Sequence, residues 1–374
     1  MNILIAPDSF KDALPALQVC EAIREGVLRA LPTAEVHLFP LADGGEGTAE
    51  VLHWHLGGEL VAIAASDPLL RPVEAQYFSQ GKIAVVEMAQ ASGLQLLRME
   101  ERNPLKTSTY GTGEMLLSAI RRDAMEIYLT IGGSATNDAG MGMAAALGWQ
   151  FLDENGVVLA PIGQNLAKVF SIFPPKNPVG IPSGIQFKVL SDVQNPMFGP
   201  EGAAHVFGRQ KGANAVAIEQ LDDGLRHFSK VVANTLGKDF SAMPGVGAAG
   251  GLGFGAMAFL GAEILPGALT IFQLVGFEAV LEWAELVITG EGRLDGQTLN
   301  GKLVAAVCQK ANAARVPVMA FAGEVAATAA ELEAMGLMGA YPLRTSGETV
   351  AEAIANTGNS LKKTAYKVLK TMKL

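Results

Sequence analysis

The chain has 374 residues, 49% of them apolar and 17% charged, with 43 glycines and a formal net charge of −9. One hydrophobic core seldom grows past roughly 250 to 300 residues, so two domains are expected; the composition suits an α/β enzyme with buried parallel strands and excludes disorder. An acidic balance with no basic run also excludes a nucleic-acid partner, which would need clustered Lys and Arg. The opening MNILIAPDSFK has no basic leader and no apolar stretch before its first acid, so it reads as a strand and not a signal peptide. Gly245 to Ala262 carries no charge but is too rich in glycine to read as a membrane span. A soluble, cytoplasmic protein without a membrane partner is expected. Cys20 and Cys308 fall in helical patterns and read as buried thiols of a reducing compartment.

In chain order, Ile3 to Ala6 reads as a strand, followed by the loop PDSFKDALP and a helix whose Leu17, Cys20, Ile23, Val27 and Leu31 recur at three-to-four spacing. Val36 to Leu41 is a second strand, leading into ADGGEG and another helix. Leu60 to Ala64, Val73 to Phe78 and Ile83 to Glu87 are close-spaced strands that favour a mixed or antiparallel sheet. A helix is expected near Gly113, a strand at Ile127 to Ile131, a small-residue helix from Ala139 to Leu147, and strands at Gln150 to Leu152 and Gln186 to Leu190. Leu286 to Thr289, Val316 to Ala322 and Ala340 to Leu343 then resume the βα grammar of the opening. The two chain ends together predict a flavodoxin-like doubly wound parallel sheet over 1–60 and 284–374, with a second α/β mixed-sheet domain inserted over 61–283. A cleft between two such domains is the expected place for a ligand.

Several acids sit just past strand ends, where open α/β sheets build their sites: Asp8, Asp43, Asp192 and Glu291. Each alone reads better as a cap or turn residue; their repeated position argues for function. Two strand-to-helix turns, Gly44-Gly45-Glu46-Gly47 and Gly132-Gly133-Ser134, can bring backbone N–H groups close to an anion, the second with Thr136 and Asn137 following. A third stretch, Gly245 to Gly255, does not complete a dinucleotide fingerprint, and close helix packing explains it as well. His53 and His55 cannot share a metal on a helix, and no nucleophile elbow is present. Glycine turns, strand-end acids and the cations Lys11, Arg293 and Lys302 together supply the parts of a phosphoryl-transfer site.

With those residues in view, the chain resembles the type-1 glycerate kinase family. The resemblance is carried by IAPDSFK, PLADGGEGT, NPLKTSTYGTGE, IGGSATNDAGMGM, SDVQNPMFGPEGA, PGVGAAGGLGFG and ITGEGRLDGQTLNGK, which run in order from Ile5 to Lys302. It implies ATP-dependent, Mg2+-assisted phosphorylation of D-glycerate, with 2-phosphoglycerate favoured over 3-phosphoglycerate and ADP released. On that resemblance Arg293 is assigned to the glycerate carboxylate, Asp192 to orienting or deprotonating the acceptor hydroxyl, and Asp43 and Asp295 to Mg2+. Lys11 and the Gly132–Ser134 turn are assigned to phosphate, and Asp8, Ser9, Asn195, Glu291, Thr298 and Lys302 to the substrate surroundings. The oligomeric state is not legible, and a homo-oligomer stays open. An NAD(P)-dependent oxidoreductase of a small hydroxy acid is the alternative, and a non-catalytic sensor of sugar acids a further one.

GQTLNGKL, Gly296 to Leu303, matches a phosphate-binding P-loop except for the missing terminal hydroxyl. With the preceding strand ending at Thr289, the intervening GEGRLD would start the cradle in the wrong place. The match then reads as a coincidence of spelling, with Leu303, Val304 and Val307 beginning an apolar helix face.

Overall fold

The computed structural model describes residues 1–175, 182–296, 298, 302–345 and 347–372. Its strands are β1 (Asn2–Ile5), β2 (Glu35–Leu38), β3 (Glu59–Ser66), β4 (Pro72–Gln80), β5 (Ile83–Glu87), β6 (Glu126–Thr130), β7 (Gln150–Leu152), β8 (Ser171–Phe173), β9 (Gln186–Leu190), β10 (Glu263–Leu265), β11 (Leu286–Leu294), β12 (Val318–Val325) and β13 (Leu337–Pro342). Contacts divide the chain into two compact units, Met1–Asp43 with Pro266–Leu374, and Gly44–Leu265. Helix Thr48–Leu56 thereby belongs with the second unit, and helices Gly267–Val275 and Phe277–Leu281 with the first.

The first unit is an all-parallel sheet of order β13-β12-β11-β1-β2, which is the flavodoxin-like arrangement. Its central strands are apolar on both faces because helices cover both. Ile3 and Ile5 pack with Val19, Ile23 and Leu361 on one side, while Leu4 and Ala6 pack with Phe272, Val304 and Val307 on the other. The winding direction reverses between β1 and β11, so the crevice beyond their carboxyl ends is the switch point where such sheets take ligands. The second unit carries a mixed sheet of order β10-β9-β6-β5-β4-β3, antiparallel across β3, β4 and β5 and parallel from β5 to β10; β7 and β8 form a separate hairpin.

One expectation is corrected. β11 does not stop at Thr289 but runs to Leu294, held to β12 through Arg293↔Glu324 and Leu294↔Val325. Gly290 and Gly292 made it look like a turn. They are strand residues where backbones approach closely: a Cβ on Gly290 would meet the Phe321 carbonyl, and one on Gly323 the Gly292 carbonyl. Only Asp295 then separates the strand from Gly296, so the spacing argument against the P-loop match fails. Gln297, Leu299, Asn300 and Gly301 of that match lie outside the described residues. The apolar start of helix Leu303–Ala313 is as expected, with Leu303, Val304 and Val307 buried.

Helix Ala16–Ala30 packs on the long helix Val350–Thr371. A Cβ on Gly26 would strike the Lys362 carbonyl and the Ala365 methyl. Gly26→Ala is expected to lower the unfolding free energy by about 1–3 kcal/mol despite alanine's better helix propensity, because overpacking outweighs that gain. Urea denaturation checks this; an unchanged midpoint would show that the two helices separate freely.

Candidate functional site

Within the first unit, the backbone after β1 and β2 continues in parallel. Phe39 N donates to the Ile5 carbonyl at 2.8 Å and Leu41 N to the Pro7 carbonyl at 3.0 Å, which carries Asp43 into the surroundings of Asp8. Across the switch point, Asp8 N donates to the Gly290 carbonyl at 2.9 Å. Burial holds the Asp8 carboxyl well above the usual carboxylate range, and repulsion from Asp43 and Glu291 adds to it; a 2.7 Å hydrogen bond from Ser9 N works the other way. Burial also pushes Glu291 up to about 7, with Asp43 and Asp295 reinforcing the shift and Thr298 and Lys302 opposing it. The Thr298 hydroxyl donates to Glu291 Oε1 at 2.8 Å, and Asp295 N donates to that hydroxyl at 3.2 Å. Asp8, Asp43, Glu291, Asp295, Thr298 and Lys302 are therefore one electrostatic group.

Among the described residues no three His, Cys, Asp or Glu side chains are arranged to hold a metal ion by themselves. The donor chemistry nevertheless fits Mg2+: crowded, mutually repelling carboxylate oxygens are hard ligands, and Mg2+ commonly takes one or two of them and completes its shell with water and phosphate oxygens.

The cations sit differently from one another. Lys11 is exposed in a turn closed by Phe10 and Leu14, whose backbones bond each other at 2.8 and 2.9 Å, and not at a helix start. Arg293 is 59% exposed and already engaged, with Nε 3.3 Å from Asp295 and a terminal nitrogen 3.8 Å from Glu324. Lys302 stands at the N-cap position of the helix that follows, without a side-chain cap, and acts electrostatically on Glu291. Beyond these groups, a cavity of about 270 Å³ lined in part by Glu324, Arg344 and Thr345 opens at the ends of β12 and β13.

In the second unit the two glycine turns abut. A Cβ on Gly132 would lie 3.1 Å from Gly45 Cα, a tight contact that would make the facing turn shift slightly. Glu87, at the end of β5, accepts from Gly47 N at 3.3 Å and Ala49 N at 2.5 Å, filling the N-terminus of helix Thr48–Leu56 with the chain's own carboxylate. One donor of the turn offered to a ligand anion, Gly47 N, is thus taken. Burial pushes Glu87 up to about 7 against those hydrogen bonds. Gly44 is buried, while Glu46, Gly132 and Gly133 are exposed. Asp192 is partly buried after β9, and Asn195 braces its loop by donating to the Glu201 carbonyl at 2.9 Å.

Behind the second turn, Thr136 and Asn137 are fully buried; the Thr136 hydroxyl and both amide atoms of Asn137 have no hydrogen-bond partner among the described residues. Asp138 is buried too and accepts from Thr109 N and Oγ1 at 2.7 and 2.8 Å, Gly142 N at 3.1 Å and Gly140 N at 3.2 Å. The stretch Gly245–Gly255 serves packing: Ala249, Gly250 and Gly251 take φ of 54°, 68° and 85°, and Cβ atoms on Gly250 and Gly255 would strike the Thr136 and Ala139 carbonyls. Sequence reasoning missed Glu87, Asp138 and Lys211. An acid closing the apolar strand Ile83–Glu87 was a usable signal; a lysine in GRQKGA was not.

The raised Glu291 carboxyl has a thermodynamic consequence. Its folded pKa lies above the unfolded value of 4.5, so the folded state binds more protons between pH 4.5 and about 7, and stability is lost as pH rises through that window. Glu291→Gln, which keeps an acceptor for Thr298, is expected to be more stable than wild type by about 1–3 kcal/mol at pH 8 and equal to it near pH 4. Thermal melts at the two pH values check this; a variant less stable at pH 8 would contradict the burial account.

The chain matches the family model described as the glycerate kinase family over residues 3–373. It is 46% identical over 326 residues to a glycerate kinase of Halalkalibacterium halodurans, covering 87% of this chain and 86% of that one. A glycerate kinase of Bacillus subtilis is 40% identical, covering 100% of this chain and 99% of the relative. The glycerate 2-kinase of Escherichia coli is 37% identical, covering 100% and 98%. The crystal structure of a protein taken to be glycerate kinase 2, from Salmonella typhimurium LT2, superposes with a TM-score of 0.84 at 39% identity, covering 100% of this chain and 98% of that one. These likenesses set aside the oxidoreductase and sensor readings. The chain belongs to the glycerate kinase family and is, as a member, a kinase.

Proposed function

We propose that this kinase transfers the γ-phosphoryl group of ATP to the 2-hydroxyl of D-glycerate, giving 2-phosphoglycerate and ADP. The observation that carries the reading is end-to-end likeness to relatives named for glycerate, and the choice of the 2-position leans on the Escherichia coli relative's name. A cytoplasmic location follows from the use of ATP and agrees with two buried free thiols, Cys308 being pushed up to about 12 by burial.

In this reading Asp192 takes the proton of the acceptor hydroxyl as its oxygen bonds to the γ-phosphorus and the bond to the bridging oxygen of ADP breaks. Arg293 exchanges its long contacts with Asp295 and Glu324 for a two-pronged contact with the glycerate carboxylate, which a lysine could not reproduce. Lys11 and the Gly132–Ser134 turn, whose two glycines are exposed, meet phosphate oxygens. Asp8, Ser9, Asn195, Glu291, Thr298 and Lys302 order the surroundings, as do Gly44, Gly45 and Glu46 with the buried Thr136 and Asn137 behind them. Mg2+, when bound, would be held by Asp43 and Asp295 and would neutralise charge on the phosphoryl oxygens.

Phosphorus NMR of the product separates 2- from 3-phosphoglycerate. Asp192→Asn is expected to lower kcat by at least about a hundredfold, and Arg293→Lys to raise KM for D-glycerate about tenfold with a smaller change in kcat. If both variants keep wild-type kcat and KM, these two assignments are wrong.

A further inference from the structure

Lys211 is 2% exposed, yet its neighbours Arg209 and Gln210 on the same short turn face solvent. Its ammonium donates to Ser134 Oγ at 2.8 Å and to the Thr136 carbonyl at 2.7 Å, and among the described residues it forms no ion pair. Asp138 acts on it through space, but that carboxylate is already saturated by four donors. Of its chain neighbours, Arg209 is exposed, and the Arg102 carbonyl abuts Gly212. A buried ammonium without a paired anion is costly, and native proteins keep one where a counter-ion arrives from elsewhere.

The turn in front of it supplies the place. Gly132 and Gly133 are exposed, and Ser134 lies between them and Lys211. Because Ser134 Oγ accepts from the ammonium, the serine keeps its own proton to give. A charge-assisted chain from Nζ through Oγ to a ligand oxygen would strengthen the outer bond. We propose that Lys211 is the positioning cation of an oxyanion subsite on the Gly132–Ser134 turn, holding Ser134 so that its hydroxyl donates outward to a phosphate or carboxylate oxygen of the ligand. The inference rests on the kinase reading only for which oxyanion is bound. Burial lowers Lys211 to about 7, so an anion bound at the turn is favoured while the lysine is charged and loses that support as pH rises above neutrality.

The test is calorimetric titration of the full chain with ATP, D-glycerate and inorganic phosphate separately, from pH 6 to 9, for wild type, Lys211→Met and Ser134→Ala. Lys211→Met is expected to bind the relevant oxyanion about 10- to 100-fold more weakly at pH 6, the range for losing a charged hydrogen bond, with the gap to wild type closing toward pH 9. Its melting temperature at pH 7 should not fall, because a desolvated charge has been removed. A loss confined to ATP and phosphate identifies the anion as phosphate, and one confined to D-glycerate identifies it as carboxylate. Affinities equal to wild type for all three ligands, at every pH, overturn the subsite. Should Lys211→Met fail to fold, Ser134→Ala decides alone, since it removes the relay while leaving the lysine its bond to Thr136: weakened binding with the same pH trend supports the subsite, and unchanged binding overturns it. A wild type that never phosphorylates D-glycerate yet shows the Lys211-dependent affinity would sink the kinase reading and leave the subsite standing.

Discussion

Asp8, Asp43 and Glu291 are acids forced into one another's field by a parallel sheet. Asp8 and Asp43 follow β1 and β2 while Glu291 lies within β11, and β1 has β2 and β11 as its neighbours, so the hydrogen bonds that build the sheet also fix the spacing of the carboxylates. Neither Asp8 nor Glu291 ionises as an ordinary acid would there, since burial and mutual repulsion both favour the proton. Such crowding is a cost to the folded state that persists where chemistry needs it, and a divalent cation with a phosphate ester is the kind of partner that relieves it.

The second unit solves the opposite problem. Its two glycine turns expose backbone, and each is backed by a buried ionisable group: Glu87 behind Gly44–Gly47 and Lys211 behind Gly132–Ser134. The signs differ, and so do the consequences. A carboxylate closing the helix N-terminus at Thr48 withdraws donors from that turn, whereas an ammonium behind Ser134 makes the second turn the more attractive one for an anion. Gly250 and Gly255 pack closely on the segment Thr136–Ala139 behind that turn.

Much of this was legible in the sequence. Continuous apolar strands at both chain ends gave the flavodoxin-like order, and acids past strand ends pointed to the switch point. Where the reading failed, the cause was local. Glycines at 290 and 292 mimic a turn because the residue type reports freedom, not use; here they let β11 and β12 approach. Lys211 was invisible because burial of a lysine depends on contacts with Ser134 and Thr136, more than seventy residues away in the chain. Glu87 was overlooked for the same reason: it ends a strand plainly enough, but its partners lie on the turn before helix Thr48–Leu56 and in that helix's first turn. Short-range pattern gives elements, while long-range contact decides which polar side chains are spent on structure.

The account stands on the carboxylate group at the switch point being chemical machinery and not merely a tolerated cluster. Steady-state ADP release with D-glycerate, ATP and Mg2+ for Asp8→Asn against wild type tests that most directly. The account predicts a fall in kcat of about a hundredfold or more alongside an unchanged or raised melting temperature. A variant that turns over at the wild-type rate would contradict it.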